Sequence, residues 1–158
     1  MNESHDAPVE TPAEEAGGIF CPARPLIDIR DTTERELGLP TGAISMSAEE
    51  LLRLCRENQD EGFQGGFVIC AEGVRSRALL LQLRKEGFDG FSSVAGGFKA
   101  WANAGLPVSY LAGLDAAQAN RYARHLVMPQ VGSRGQRKLL DSRILLVGLG
   151  GLNSPVAL

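Results

Sequence analysis

Cysteine is scarce in this chain, excess charge is small, and no long apolar run is present. Each shortage excludes a class. The three cysteines, Cys21, Cys55 and Cys70, are widely spaced and odd in number. They make neither a disulfide framework nor a zinc-ligand pattern, so no metal is expected and a reducing cytoplasm fits best. A net charge of −3 over 158 residues leaves no electrostatic footprint for nucleic acid or an anionic membrane. The N-terminus lacks the basic flank and apolar core of a signal peptide, and no stretch approaches membrane-spanning length.

What is present is organised around Phe67-Val-Ile-Cys70-Ala-Glu-Gly73-Val-Arg75-Ser76 and the following Arg77-Ala-Leu-Leu-Leu-Gln-Leu-Arg84. β-Branched and aromatic residues run into a cysteine, and the hydrophobic period then changes, which predicts strand, tight loop and helix. Gly73 permits a backbone turn that points successive amides inward as an anion-binding nest. The free N–H groups of the next helix and the fixed charge of Arg75 face the same cavity. Basic residues cluster here (Arg75, Arg77, Arg84), which suits a small anion. A thiol so placed ionises below its usual value of about 8.5, which makes Cys70 the candidate nucleophile. The plainer alternative is a small packing residue.

The rest of the chain reads as alternating strands and helices, hence an α/β fold with a mainly parallel sheet covered on both faces. Residues 1–17, rich in Glu, Ala and Pro, read as a disordered acidic leader in which His5 is solvated. Leu26–Ile29 is the first strand, with Asp28 and Arg30 as a supporting ion pair near its end. Asp31 with Glu34, Ser47 with Glu50, and Asp115 with Gln118 are capping boxes. Cys55 shares an apolar helix face with Leu51 and Leu54 and reads as core, while Cys21 is assigned to packing. Gln59–Gly66 is a polar loop, Phe91–Ala95 a strand, and Gly96-Gly97 releases a helix burying Phe98 and Trp101. Ile144–Val147 is a strand leading into Gly148-Leu-Gly150-Gly151, a pattern that opens nucleotide-binding βα units.

Cys70-x-x-Gly73-x-Arg75-Ser76 resembles the active-site loop of rhodanese-type sulfurtransferases. Leu26-Ile-Asp28-Ile-Arg30, Gly42-Ala43-Ile44 and Val94-Ala-Gly96-Gly97-Phe98 through Trp101 to Val108 resemble other segments of that family, in its order. Arg35–Thr41 departs from the family's usual Gly-His-Ile-Pro segment. The resemblance implies a rhodanese-like domain over residues 18–112, with Cys70 carrying sulfur as a persulfide from thiosulfate or a persulfide donor. Ala71, Glu72, Gly73, Val74, Arg75 and Ser76 would form the substrate-binding loop, with no cofactor. Arg121-Tyr-x-Arg124, Gly135-Gln-Arg-Lys-Leu139 and the glycines at 148, 150 and 151 resemble the start of ubiquitin-activating-type adenylating enzymes of molybdopterin and thiamine biosynthesis. In that resemblance Arg124 reaches a partner subunit's nucleotide site, and the acceptor is a small sulfur-carrier protein. ATP and magnesium belong to a complete adenylating domain. Residues 113–158 hold only its beginning, so Gly148, Gly150, Gly151 and Arg124 are expected to be vestigial here. Two other readings stand beside sulfur transfer. One is a non-catalytic rhodanese-fold binding module. The other is a cysteine phosphatase or arsenate reductase, whose loop has five residues between Cys and Arg where Ala71–Val74 supplies four.

Overall fold

A computed structural model describes residues 10–57 and 65–148. In chain order its elements are β1 (Glu10–Thr11), α1 (Ala13–Ile19), β2 (Leu26–Asp28), α2 (Thr32–Arg35), β3 (Leu39–Pro40), β4 (Ile44–Ser45), α3 (Ala48–Glu57) and β5 (Gly65–Ile69). They continue with α4 (Val74–Lys85), β6 (Gly90–Val94), α5 (Gly97–Asn103), β7 (Val108–Ser109), a 3-10 turn at Leu111–Gly113, α6 (Ala116–Arg121), α7 (Ala123–Leu126) and α8 (Gly132–Asp141).

Five strands form one parallel sheet in the order β1-β6-β5-β2-β4, and β3 and β7 form a separate antiparallel pair. Successive side chains of a strand point to opposite faces, and the central strands are apolar on both. Ile27 and Val68 pack with Leu51, Leu80 and Leu83 of α3 and α4. Their neighbours Leu26, Phe67 and Ile69 pack on the other face with Ala13, Ala16 and Trp101 of α1 and α5. Helices therefore cover both sides of the sheet, as the alternating pattern implies. The three capping boxes form, with side chain and backbone satisfying each other at Asp31/Glu34, Ser47/Glu50 and Asp115/Gln118.

The acidic leader requires a correction from residue 10 onward; residues 1–9 lie outside the described residues. β1 extends the sheet beside β6, and the Ala95 amide donates to the Thr11 carbonyl at 2.8 Å. α1 buries Ala13 and Ala16, and a Cβ placed on Gly17 would lie 3.0 Å from Leu106 and 3.4 Å from Trp101. Small residues at this helical spacing let α1 approach α5 closely, so a segment with little apolar area still has a face to bury.

Beyond β7 the chain forms a second small cluster in which Leu114, Ala119 and Leu126 are buried against Tyr110 and Leu140. It meets the first unit at α8, whose Ser133 amide donates to the Glu36 carboxylate at 2.8 Å. That carboxylate sits where the helix dipole favours negative charge. The strand expected over Ile144–Val147 does not form: residues 142–148 have no regular structure, and Ile144, Leu145 and Val147 are 75%, 88% and 83% exposed. A single apolar run has no ladder to join without neighbouring strands. Arg124 is exposed on α7 and Gly148 has a positive φ of 82°, while Gly150 and Gly151 lie outside the described residues. The loop expected from Gln59 is described only at Gly65 and Gly66, which already belong to β5. Among the described residues no helix is long and apolar enough to cross a membrane.

Candidate active site

β5 ends at Ile69, and Cys70 is the first residue beyond the ladder. Three residues later Gly73 takes φ +89° and starts α4. The turn directs donors onto one atom. Cys70 Sγ accepts from the Gly73 amide at 3.1 Å and the Ser76 amide at 3.4 Å, and the Ser76 hydroxyl oxygen lies 3.3 Å away.

The loop is held in this sense from behind. The Phe98 amide donates to the Cys70 carbonyl at 2.8 Å and the Lys99 amide to the Ala71 carbonyl at 3.1 Å. In a trans peptide the N–H points opposite to its C=O. Tying both carbonyls to the start of α5 therefore turns the Ala71 and Glu72 N–H groups away from that helix. Gly97 lies directly against this anchor: a Cβ there would fall 2.4 Å from the Cys70 carbonyl oxygen.

Two opposed effects set the ionisation of Cys70, which is 1% exposed. Burial pushes its pKa up; hydrogen bonds from the Ser76 hydroxyl and from the amides of Ser76, Glu72 and Gly73 outweigh burial and leave it below the ordinary thiol value. Cys55, equally buried, has the opposite balance: burial and then the Glu86 carboxylate push its thiol up. Cys55 is therefore a packing residue, as its helical spacing implies. The thiolate absorbance of Cys70, taken as wild type minus Cys70→Ala, is expected to titrate below the usual midpoint of about 8.5. Because the folded pKa is depressed, this group's stabilising contribution is full above the unfolded pKa and is lost as pH falls through the folded one. A midpoint at or above the ordinary value would contradict the hydrogen-bonded geometry.

The charged residues of the loop are already partnered. Arg75 reaches Glu34 of α2, Glu72 pairs with Lys99 at 3.2 Å, and Arg77 lies 3.7 Å from Glu10. Arg75 and Arg77 of the basic cluster read from the sequence are thus offset by carboxylates, and Arg75 braces the loop against α2. Val74 is exposed at the rim, Ala71 is half-buried, and Ser76 is fully buried at the floor. Asp28 and Arg30 form the expected supporting pair, 2.7 Å apart and both buried. The Arg30 guanidinium also donates to the Gly38 carbonyl at 2.8 Å and stacks on Phe98 at 3.7 Å. The pair therefore acts on the platform behind the loop, at a remove from the sulfur. Among the described residues no His/Cys/Asp/Glu cluster is able to hold a metal ion.

Sequence reasoning missed Glu34, which it read only as a cap, and Ser93, whose hydroxyl lies 2.7 Å from that of Ser76. Glu34 does both jobs, one carboxylate oxygen taking the Asp31 amide and the other Arg75. The available signal for Ser93 was two consecutive serines in Phe91-Ser-Ser-Val94, in a strand whose position calls for continuous apolar residues.

A family model described as the Rhodanese-like domain matches residues 12–104. The chain belongs to the rhodanese-like family. Its solved relatives include a rhodanese-related protein from Thermoplasma volcanium, 27% identical with a TM-score of 0.50, the match covering 63% of this chain and 96% of that one. Among curated proteins, it is 60% identical over 43 residues to the adenylyltransferase and sulfurtransferase MOCS3 of Oryza sativa, covering 27% of this chain and 10% of the relative. It is also 55% identical over 42 residues to the SAMP-activating enzyme E1 of Haloferax volcanii, covering 27% and 16%. The chain thus spans only a small part of the length of these curated relatives. The rhodanese-like domain itself begins at or before residue 12, which agrees with α1 as part of its core.

Proposed function

We propose that this rhodanese-like domain is a sulfurtransferase in which Cys70 carries sulfane sulfur. The observation that carries the reading is the convergence of the Gly73 and Ser76 amides and the Ser76 hydroxyl on Cys70 Sγ. Donors arranged in advance stabilise negative charge on the sulfur without reorganising during reaction. The Cys70 thiolate attacks the outer sulfur of thiosulfate or of an organic persulfide. The donor's sulfur–sulfur bond breaks, its electron pair leaves with sulfite or the donor thiolate, and a Cys70 persulfide anion remains. A thiophilic acceptor then takes the outer sulfur and returns the thiolate. The resemblance of residues 114–158 to adenylating enzymes, together with relatives named as both adenylyltransferase and sulfurtransferase, supports a small sulfur-carrier protein as the physiological acceptor.

Cys70 is almost fully buried in the resting geometry, so a donor reaches Sγ only once the rim of the loop admits it. That burial is also the observation favouring the alternative, a binding module of the same fold. Treating the full chain with thiosulfate, and separately with cysteine persulfide, separates the two readings. Peptide mass spectrometry is expected to find one added sulfur on Cys70, discharged by cyanide as thiocyanate and absent from Cys70→Ala. A Cys70 peptide left unmodified by both donors, at a pH where the thiol is ionised, would leave the binding module standing.

A further inference from the structure

The hydroxyl of Ser76 has one hydrogen and three close neighbours. The Gly73 carbonyl oxygen is 3.1 Å away, Cys70 Sγ 3.3 Å and the Ser93 hydroxyl oxygen 2.7 Å. A carbonyl oxygen and a thiolate have no hydrogen to give, so at either contact only Ser76 is able to donate, and its single hydrogen serves one of them at a time. If Ser76 gave its hydrogen to Ser93, lone pairs would face lone pairs at the other two contacts. The short contact to Ser93 is then satisfied only when Ser93 is the donor. Both serines are fully buried, so neither hydroxyl faces bulk solvent.

We infer that Ser93 is a positioning residue for the nucleophile: its hydroxyl donates to Ser76 Oγ and leaves the Ser76 hydrogen free to turn from the Gly73 carbonyl to the ionised sulfur. With a neutral thiol, the S–H donates to Ser76 and the Ser76 hydrogen rests on Gly73. With the thiolate, that hydrogen swings onto Sγ while Ser93 continues to hold the oxygen. Chained hydrogen bonds of this kind polarise and strengthen one another.

The strand explains why a serine stands there. β6 lies between β1 and β5 in a parallel sheet, a place that ordinarily carries aliphatic side chains on both faces. Two successive buried serines break that rule, and each finds a specific partner: Ser92 meets Thr11 at 2.6 Å on one face and Ser93 meets Ser76 on the other. Ser93 is placed by register, opposite Val68 of β5 and two residues before the loop-facing Cys70. The charged groups around the loop pair among themselves, Arg75 with Glu34 of α2 and Glu72 with Lys99 of α5, with Asp31 adding to the field at Arg75. The hydroxyl pair is thus the polar support beneath the sulfur.

The proposal rests on Cys70 being the nucleophile of sulfur transfer, but its test reads the thiol directly. Thiolate absorbance of the full chain is titrated for the parent, Ser93→Ala and Ser93→Thr, each against its Cys70→Ala counterpart. Ser93→Ala is expected to raise the midpoint by about half a pH unit or more, roughly a threefold loss of thiolate below both midpoints. Ser93→Thr, which keeps the hydroxyl, is expected to restore the parent midpoint. An unmoved alanine midpoint overturns the assignment, and so does a threonine midpoint raised as far as that of alanine. Should Ser93→Ala show no melting transition, Ser93→Val replaces it, since valine and threonine match in shape and differ in the hydroxyl; equal midpoints for that pair overturn the assignment. If the parent proves unable to transfer sulfur, the titration remains readable, so failure of the enzyme reading and failure of the Ser93 role are distinguishable.

Discussion

Gly97→Ala is expected to destabilise the protein by about 2–5 kcal/mol and to cut sulfur transfer about tenfold or more in the molecules that stay folded. Two costs combine at this position. The backbone has φ +58°, which an L-residue with a Cβ adopts at a cost of about 1–2 kcal/mol. The new methyl would lie 2.4 Å from the Cys70 carbonyl oxygen and 2.7 Å from the Ala71 carbonyl group, and overpacking of this kind adds about 1–3 kcal/mol. The obstructing atoms are backbone, so no side chain is able to swing aside. Relief requires the reactive loop and the start of α5 to part, which loosens the Phe98 and Lys99 amides from the two carbonyls and rotates the loop amides off the sulfur. The Cys70 midpoint should therefore rise together with the loss of stability. Melting temperature and thiolate titration on the same sample check both. An alanine variant that melts and titrates like its parent would show that position 97 does not couple the helix to the loop.

Asp28→Ala is expected to destabilise by about 3–5 kcal/mol, read as a lowered midpoint in urea unfolding. Asp28 and Arg30 are 0% and 3% exposed, and four hydrogen bonds from the backbone and guanidinium of Arg30 end on the Asp28 carboxylate. Removing the carboxylate leaves a guanidinium out of water, its remaining partners among the described residues being the Gly38 carbonyl and the face of Phe98. The loss comes mainly from that stranded charge, and the pair itself contributes less than the truncation removes. Glu34→Gln gives a contrast, because it keeps an acceptor for the Asp31 amide and removes only the charge paired with Arg75, which is 49% exposed and compensated by water. A surface pair of this kind contributes about 0–1 kcal/mol. A loss at Asp28 as small as that expected at Glu34 would mean that water reaches Arg30.

Much of the domain was legible in the residues because local and tertiary preferences agree. The run Phe67–Ile69, the glycine at 73 and the leucines at 79, 80 and 83 each point to the same strand–loop–helix, and the structure places them so. The capping boxes are equally local: a short polar side chain and a carboxylate or amide three residues on need only each other. The Cys70 loop was legible for the same reason, since its donors all come from within six residues of the sulfur. What reached in from elsewhere was not. Glu34 finds Arg75 across 41 residues and Ser93 finds Ser76 across 17, and no local pattern announces either meeting. α1 was missed because alanine and glycine carry little apolar area; their value there is shortness, which becomes apparent only once Trp101 and Leu106 lie against them. Ile144–Val147 failed in the opposite way. Its side chains favour a strand, but a strand is a relation between segments, and no ladder pairs this run among the described residues.

β1 is only two residues long, yet it occupies the flank of β6, where the main chain would otherwise present unpaired amide and carbonyl groups along a strand already packed above and below. Proteolytic removal of Glu10 and Thr11 would bare that border, and a bared border of a parallel sheet is a template for a strand from another molecule. The integrity of these few residues therefore bears on self-association and on solubility as much as on the stability of a single copy.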